Sequence, residues 1–324
     1  MILVTGGSGL LGKALIQALL KEEKPVRALV HQTPLEIIHP LLEIFQGDIL
    51  DTTCLQNSLQ GIDEVYHCAG LVSYIPGKDK QLYKINVEGT ANLVNLALDT
   101  KVRKLIHVSS VAALNSSKRG APIVEKEPWN EVFPDTPYGK SKYLGEMEVW
   151  RGMAEGLDVL VVNPSIIIGP GNWNEGSTAM FKKVYDGFDW FTLGTTGYVG
   201  VDDVARAMIM LMNSDLKNDR YILSAENLSY KDVLSKISLA FGLTPPKRKL
   251  TAWMAACLWR MEWLRSKISG KDSLITKQTA EKAFEKVKYD NSKFLTAFPQ
   301  FAYTPVKEAI FQTAKILQQK LNNH

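Results

Sequence analysis

The first half of the chain alternates short apolar runs with longer stretches in which apolar residues recur every three or four positions. The short runs are rich in β-branched residues and predict strands at Ile2–Val4, Val26–Val30, Leu42–Gln46, Glu64–His67, Lys104–Ser109 and Val159–Asn163. The longer stretches predict helices at Leu10–Lys21, Leu82–Thr100 and Pro137–Glu155. Continuous apolar runs are typical of strands covered on both faces. The alternation therefore predicts an α/β fold with a doubly wound parallel sheet.

The pattern changes after Pro164, where Gly169–Asn172 (Gly-Pro-Gly-Asn) interrupts the chain. Aromatic residues then follow at close intervals: Trp173, Phe181, Tyr185, Phe188, Trp190 and Phe191. We expect a first domain over 1–165 and a smaller, mainly C-terminal lobe over 166–324. The chain is expected to rejoin the first domain by about 195–215, through Val199–Val201 and a helix beginning near Asp202, before a final helical section from Tyr230 onward.

Aromatic side chains at helical spacing are more often core than pocket, so the aromatic content of this lobe does not by itself define a ligand site. Three tryptophans, at 253, 259 and 263, fall near one helical face. Packing, a lid or contact with a membrane surface would each explain them, and packing is the first expectation.

Composition narrows the class of protein. Apolar residues at 45% and charged residues at 22% are ordinary for a globular protein. The net charge is +4 over 324 residues and there is no long basic block, so we do not expect a nucleic-acid partner. Three scattered cysteines predict neither a disulfide framework nor a metal site. With no secretory signal, and with no apolar stretch as long as the roughly 20 residues of a membrane span, we expect a cytoplasmic protein without an integral membrane segment.

The first strand leads directly into Thr5–Gly12, which places glycines at 6, 9 and 12 between a strand and a helix. The exposed N–H groups at a helix N-terminus bind a pyrophosphate when no side chain covers the backbone. A tight turn with close packing would also place glycines here. The position between a strand and a helix favours the dinucleotide site, and with it a Rossmann fold.

The ends of the second and third strands bear on the kind of dinucleotide. An acidic residue at the end of the second strand would bind the ribose 2′-OH of NAD, but the sequence there places His31, with Arg27 earlier in the strand. Either could face a 2′-phosphate, so NADP(H) is favoured over NAD(H). Asp48, after the third strand, could accept from the adenine amino group or could equally be the N-cap of a helix over Thr52–Leu59.

Tyr138 and Lys142 stand four residues apart and hence on one face of the predicted helix. A neighbouring ammonium would lower the pKa of a tyrosine from its usual value near 10 and suit it to acid–base work. A solvated helix face would give the same spacing. The glycine triplet, and Ser109-Ser110 at the carboxyl end of a predicted parallel strand, favour a catalytic pair, because open α/β sheets bind ligands at those strand ends.

These segments occur in the order typical of the short-chain dehydrogenase/reductase superfamily, and the chain resembles its extended branch over nearly its whole length. The matching segments are Thr5–Gly12, Gly47–Ile49, His67–Gly70, Asn86–Thr90, Val108–Ser110, Tyr138–Lys142 and Val201–Val204. Within that branch the chain looks most like dihydroflavonol reductases and 3β-hydroxysteroid dehydrogenases, on Val26–Val30, Arg220–Leu223 and Tyr289–Lys293.

The resemblance implies roles for individual residues. Ser110 would polarise the substrate carbonyl, Tyr138 would transfer the proton, Lys142 would also hold the nicotinamide ribose, and Asn86 would either support a proton relay or make a structural hydrogen bond. The dinucleotide would lie along Gly6, Ser8, Gly9, Leu10, Leu11, Gly12, His31, Asp48, Ile49, Ala69, Gly70, Tyr138, Lys142, Pro164 and Ile166. A homodimer is also implied.

The sequence departs from the family pattern at two further places, and the second of them bears on the substrate. An Arg-Pro pair is common in the family where Asn163-Pro164 stands here, and the nucleotide-sugar enzymes of the branch usually carry an arginine where this chain has Gly197–Gly200. The leading hypothesis is hydride transfer between NAD(P)H and a carbonyl or secondary alcohol of a fairly apolar small molecule. The alternatives are a nucleotide-sugar epimerase or dehydratase and a non-catalytic dinucleotide sensor.

Overall fold

A computed structural model of the protein describes residues 1–114, 120–125, 134–269 and 276–322. Its strands are β1 (Ile2–Thr5), β2 (Val26–Val30), β3 (Leu42–Gln46), β4 (Glu64–His67), β5 (Lys104–Val108), β6 (Asp158–Pro164), β7 (Ile166–Ile168), β8 (Trp190–Phe191), β9 (Thr195–Gly200), β10 (Asp219–Leu223), β11 (Glu226–Ser229) and β12 (Arg248–Lys249).

The helices follow in chain order. They are α1 (Leu10–Lys21), α2 (Thr52–Ser58), α3 (Asp79–Tyr83), α4 (Gly89–Asp99), α5 (Pro137–Ala154), α6 (Thr178–Tyr185), α7 (Val201–Met212), α8 (Tyr230–Ala240), α9 (Ala252–Ser269), α10 (Lys277–Lys282), α11 (Ser292–Ala297) and α12 (Val306–Asn322).

Seven strands form one parallel sheet in the order β10-β6-β5-β4-β1-β2-β3. The strand order reverses between β1 and β4, because the chain builds outward from β1 to β3 and then returns to the other side of β1. Ligands of open α/β sheets bind at the carboxyl ends of the strands at such a switch point. The predicted fold class, a doubly wound Rossmann sheet, is confirmed.

The sheet is covered on both faces, as the apolar runs predicted. On one face α1 and α7 pack against it around Leu15, Ile16 and Met208. On the other face α2, α4 and α5 pack around Leu55, Leu93 and Val149. The edge strand β3 departs from the prediction, since Ile44 is 47% exposed. An edge strand has a neighbour on one side only and lies beyond the covering helices.

The helix expected over 82–100 is not continuous. It runs as α3, then a π-helical turn over Lys84–Glu88, then α4. A π-turn inserts one residue into the helical ladder and is frequent at functional sites. Here it contains Asn86, a candidate site residue, whose side chain is buried. Apolar spacing alone does not reveal such an insertion.

The second lobe contains a three-stranded sheet, in which β9 pairs antiparallel with β11 and parallel with β7. Its core includes Phe181 and Tyr198, packed with residues of α8 and α12. Trp173 also packs against this core, as expected from its spacing, whereas Tyr185 and Phe188 are exposed. The chain rejoins the main sheet through α7 and then β10, a strand that the hydrophobic pattern did not predict.

The tryptophans of α9 do not follow the first expectation for them. Trp253 is 70% exposed and Trp263 is 51% exposed, so packing inside the protein does not account for these two. Among the residues that the structure describes, no helix is both long and apolar enough to cross a membrane.

Candidate active site

The glycine turn lies where β1 ends and α1 begins, at the switch point of the sheet. Gly6 has φ +67°, a left-handed conformation that favours glycine, and a Cβ atom there would lie 2.7 Å from the backbone nitrogen of Ala69. A Cβ on Gly12 would collide with the carbonyl oxygen of Gly6. Gly9 is the N-cap of α1, with no side-chain cap of its own. The turn therefore tolerates no side chain at Gly6 or Gly12.

This geometry fits a dinucleotide pyrophosphate. The first N–H groups of α1, those of Leu10, Leu11 and Gly12, have no intrahelical acceptors, as at any helix start. Ser8 stands just before them, half-buried, and Gly9 is exposed. The exposed backbone at a helix N-terminus supplies hydrogen-bond donors and a favourable dipole for an anion.

The side chains expected near the adenosine half are only partly brought together. His31 Nε2 lies 3.5 Å from a carboxylate oxygen of Asp48, and both side chains are exposed. Arg27 does not join them, because its guanidinium donates to the carbonyl oxygens of Ser58 and Gln60, at 2.9 and 2.8 Å. Arg27 is the second residue of β2, opposite Leu3 of β1, and so lies near the amino end of the strand and away from the carboxyl end where a dinucleotide binds. The expectation that Arg27 faces a 2′-phosphate is wrong.

Asp48 is not the N-cap of the following helix. The side chain of Asp51 accepts from the N–H of Cys54 and caps α2, whereas Asp48 accepts from the N–H of Leu50 at 2.9 Å. The backbone of Ile49 accepts from Asn92, and its side chain lies against Gly89.

A chain of buried hydrogen bonds joins the glycine turn to the π-turn. The Ala69 N–H donates to Thr5 Oγ1 at 3.2 Å, Thr5 Oγ1 lies 2.7 Å from His67 Nδ1, and His67 Nε2 lies 3.0 Å from Thr90 Oγ1. Thr90 in turn donates to the carbonyl oxygen of Asn86 at 2.8 Å. The ends of β1 and β4 are therefore held in one register beside Gly6.

Ser110 follows β5 and forms the N-cap of a short 3₁₀ turn. Its hydroxyl oxygen accepts from the N–H of Ala112 at 3.1 Å, which leaves the hydroxyl proton to donate. The interaction of this hydroxyl with the Tyr138 phenol favours the ionised form of the phenol. The approach of α5 is close, because a Cβ on Gly139 would collide with the carbonyl oxygen of Ala112. Glycine at 139 thus brings Tyr138 within reach of Ser110.

The electrostatics of Tyr138 differ from the expectation. Burial raises the pKa of its phenol, and the hydrogen bond from Ser110 opposes that rise. Lys142 was expected to lower this pKa, but its ammonium donates to the carbonyl oxygen of Val108 at 2.7 Å instead. The phenol of Tyr138 is consequently neutral at neutral pH. Tyr74 packs edge-on against it, with the ring centroids 5.5 Å apart.

Lys142 lies one helical turn beyond Tyr138 and is buried. Burial lowers the pKa of its ammonium to about 8, while the charge of Glu146 acts to raise it. A Cβ on Gly70 would lie 3.6 Å from Lys142 Nζ. Because Ala69 contacts Gly6, the segment Ala69-Gly70 links the catalytic candidates to the glycine turn.

Asn86 makes structural hydrogen bonds in this arrangement. Its Oδ1 accepts from the Leu71 N–H at 2.7 Å, and its Nδ2 donates to the Leu71 carbonyl oxygen and to Ser141 Oγ, each at 2.9 Å. Both ends of the amide are engaged. Asn86 therefore ties the loop after β4 to α5, and a part in proton relay stays a prediction.

The last two predicted residues lie on β6 and β7. Pro164 ends β6, and Ile166 is half-buried in β7, paired with Tyr198. Sequence reasoning missed Tyr74 and a buried group formed by Glu146, Asn163 and Arg220. The one available signal was Glu146, four residues beyond Lys142 on the same helix.

The fold and these residues define a Rossmann-type, dinucleotide-dependent enzyme. The chain belongs to the NAD dependent epimerase/dehydratase family, whose sequence profile matches residues 2–223. Dihydroflavonol reductase-like and 3β-hydroxysteroid dehydrogenase proteins are among its relatives. The resemblance to the extended short-chain dehydrogenases/reductases is thereby confirmed.

Individual relatives agree with this assignment. The chain is 30% identical over 253 residues to sterol demethylase protein B of Methylococcus capsulatus, covering 76% of each chain. It is 29% identical over 192 residues to a 3 beta-hydroxysteroid dehydrogenase/Delta 5-->4-isomerase of Mycobacterium tuberculosis, covering 57% of this chain and 50% of that one. The crystal structure of gox2253 superposes with a TM-score of 0.83 at 27% identity, covering 99% of this chain and 98% of that chain.

Proposed function

We propose that the protein is an oxidoreductase that transfers a hydride between NAD(P)H and a carbonyl or secondary alcohol of a fairly apolar small molecule. The observation that carries this proposal is the buried phenol of Tyr138, which lies one helical turn before the buried Lys142 and interacts with Ser110 at the end of β5. A phenol with a raised pKa holds its proton until negative charge develops on a nearby oxygen.

Different residues would bind the dinucleotide, polarise the substrate and transfer the proton. The backbone of Gly6–Gly12 would hold the pyrophosphate, Lys142 would hold the nicotinamide ribose, and the bound dinucleotide supplies or accepts the hydride. Ser110 donates a hydrogen bond to the carbonyl oxygen of the substrate and polarises it. Tyr138 gives its proton to that oxygen during reduction and takes a proton back during oxidation. Positioned donors of this kind stabilise the charge that develops in the transition state.

The apolar substrate is supported by the surroundings of the site and by the relatives. A diphosphate needs cationic or bidentate donors in place of its water, but Gly197–Gly200 is buried and carries no charge. Tyr74 presents an aromatic ring beside Tyr138. Two relatives carry names that refer to sterol or steroid compounds. A nucleotide sugar is disfavoured on these grounds.

We propose NADP(H) as the preferred dinucleotide, since the end of β2 presents an exposed His31 and no acidic residue. Calorimetric titration of the protein with each oxidised dinucleotide should give a lower Kd for NADP⁺ than for NAD⁺. His31→Ala should narrow the difference between the two Kd values. Clearly tighter binding of NAD⁺ by the wild type would overturn this preference.

The reaction itself is tested by a screen of carbonyl and hydroxy compounds, including sterols and aromatic ketones, in which nicotinamide absorbance is followed. Consumption of NAD(P)H in proportion to product is expected. The epimerase alternative predicts product without net consumption, together with thermal protection by UDP or TDP at micromolar concentration. The sensor alternative predicts binding of the dinucleotide and no turnover with any compound.

A further inference from the structure

Helix α5 presents a third functional side chain beyond Tyr138 and Lys142. Glu146 lies four residues after Lys142, so the three share one helical face, and Glu146 is fully buried. A carboxylate is almost never buried without partners. Its contacts therefore show what holds it there.

Both carboxylate oxygens of Glu146 are engaged. Oε1 accepts from Asn163 Nδ2 at 2.6 Å, and Oε2 lies 3.3 Å from Arg220 Nη1 in an ion pair whose side chains are 11% exposed or less. Arg220 is itself fixed by donating to the carbonyl oxygen of Glu125 at 2.9 Å. The buried carboxylate is thus a rigid acceptor for the amide of Asn163.

Asn163 connects this acceptor to Ser110. Its Nδ2 donates to Glu146 Oε1 and also to the carbonyl oxygen of Ser110, 3.1 Å away. An amide nitrogen has two protons, and both are used on oxygens. A flipped amide would direct Oδ1 at those two oxygens, so its orientation is fixed. Oδ1 is buried without a hydrogen-bond partner among the described residues, an arrangement that is unfavourable for the fold.

Ser110 is consequently held at two points. Its Oγ accepts from Ala112, and its carbonyl oxygen accepts from both Ala113, at 3.0 Å, and Asn163. The contacts with Ala112 and Ala113 belong to the same short turn and move with it. Asn163 is on β6, so it joins that turn to the sheet and, through Glu146, to the helix of Tyr138.

We propose that Asn163, oriented by the Glu146–Arg220 ion pair, is a positioning residue that sets the distance between Ser110 and Tyr138. This inference rests on the proposed function, in which Ser110 donates to the substrate oxygen. Asn163 touches neither the substrate nor the reacting atoms in this assignment. Its effect on turnover therefore passes through Ser110, and a misplacement of about 1 Å can reduce turnover about 10²-fold.

A double-mutant cycle separates positioning from general stability. Turnover and dinucleotide Kd are measured for the wild type, Asn163→Ala, Ser110→Ala and the double variant, with a substrate from the screen. We expect Asn163→Ala to reduce kcat at least tenfold with the dinucleotide Kd unchanged within about threefold. In the Ser110→Ala background the same change should reduce kcat less than about threefold, because Ser110 is already lost.

Val161→Ala is the matched control, since Val161 is buried on the same strand and belongs to the apolar core. It should lower the Tm without changing kcat. Glu146→Gln, which keeps an oxygen acceptor for Asn163 but removes the charge that pairs with Arg220, should also lower kcat, with a smaller effect in the Ser110→Ala background. If Asn163→Ala does not fold, Asn163→Ser replaces it under the same criteria.

The outcomes distinguish this inference from the proposed function. If Ser110→Ala itself leaves turnover unchanged, the catalytic role of Ser110 fails and this inference fails with it. If Ser110→Ala lowers turnover but Asn163→Ala has no effect, or has an equal effect in both backgrounds, the proposed function stands and the positioning role of Asn163 is overturned.

Discussion

The imidazole Nδ1 of His67 lies 2.7 Å from the hydroxyl oxygen of Thr5, and the hydrogen bonds on the other side of the ring determine its tautomer. Thr90 donates to a carbonyl oxygen, so its hydroxyl must accept from His67 Nε2–H. Nδ1 is then the acceptor for the Thr5 hydroxyl, whose oxygen accepts from Ala69. A neutral His67 satisfies every group in this chain, and a protonated one would lose the bond from Thr5.

We predict that His67 makes the protein acid-sensitive. Burial and the charge of Lys142 lower the pKa of His67 from 6.5 to about 3. Below pH 6.5 the unfolded chain takes up a proton that the native state refuses until about pH 3, so stability falls as the pH falls through that window. The slope is roughly 1.4 kcal/mol per pH unit for one proton.

Urea unfolding of the unliganded protein between pH 7.5 and 5 measures this effect. His67→Gln cannot titrate and should show a shallower decline, although it is less stable at pH 7.5. His31→Gln, a change at an exposed histidine, is the matched control and should decline as the wild type does. Parallel curves for the wild type and His67→Gln would contradict the prediction.

Tyr138→Phe removes the phenol hydroxyl alone. The fold and dinucleotide binding should survive, whereas turnover should fall by about 10²–10⁴, the usual contribution of a positioned acid–base group. Ser110→Ala should act mainly on turnover as well. Single-turnover kinetics measure the loss of turnover, and titration with the dinucleotide measures its Kd. Wild-type turnover in Tyr138→Phe, under conditions in which chemistry limits the rate, would remove the centre of the proposal.

Lys142 should set the alkaline limit of activity. Its pKa is lowered to about 8 by burial, whereas burial raises that of Tyr138, so the ammonium loses its proton first as the pH rises. Since kcat/KM reports ionisations of the free enzyme, we expect it to decline above about pH 8. In Lys142→Arg, the activity that remains should decline at a higher pH than in the wild type. Lys142→Met should lose turnover and bind the dinucleotide more weakly. If the decline occurs at the same pH in Lys142→Arg as in the wild type, a group other than Lys142 causes it.

Gly12→Ala tests the dinucleotide turn directly. The new Cβ would collide with the carbonyl oxygen of Gly6, so the turn must shift away from the N-terminus of α1. Binding of the dinucleotide should weaken at least tenfold, as measured by calorimetry. Gly61→Ala is the control for general destabilisation, because Gly61 has a left-handed φ of +71° that strains an alanine, but it has open space around it and follows a different helix. An unchanged Kd in Gly12→Ala would argue against this pyrophosphate site.

The sequence by itself determined the parallel sheet and the candidate site residues at its carboxyl edge. Hydrophobic periodicity is a local property, so it located β1 to β6 and the helices α1 and α5 with small errors at their ends. The spacing of Tyr138 and Lys142, and the glycines between β1 and α1, were likewise readable because each depends on neighbours within one turn or one helix.

The tertiary structure alone decided what depends on contacts between distant segments. It directed Arg27 to carbonyl oxygens of the 58–60 segment and placed Asp51 rather than Asp48 at the start of α2. It also inserted the π-turn at Asn86 and joined Glu146 to Asn163. Burial, which depends on every packed element at once, lowered the pKa of Lys142 and raised that of Tyr138, the latter against the expectation from their spacing.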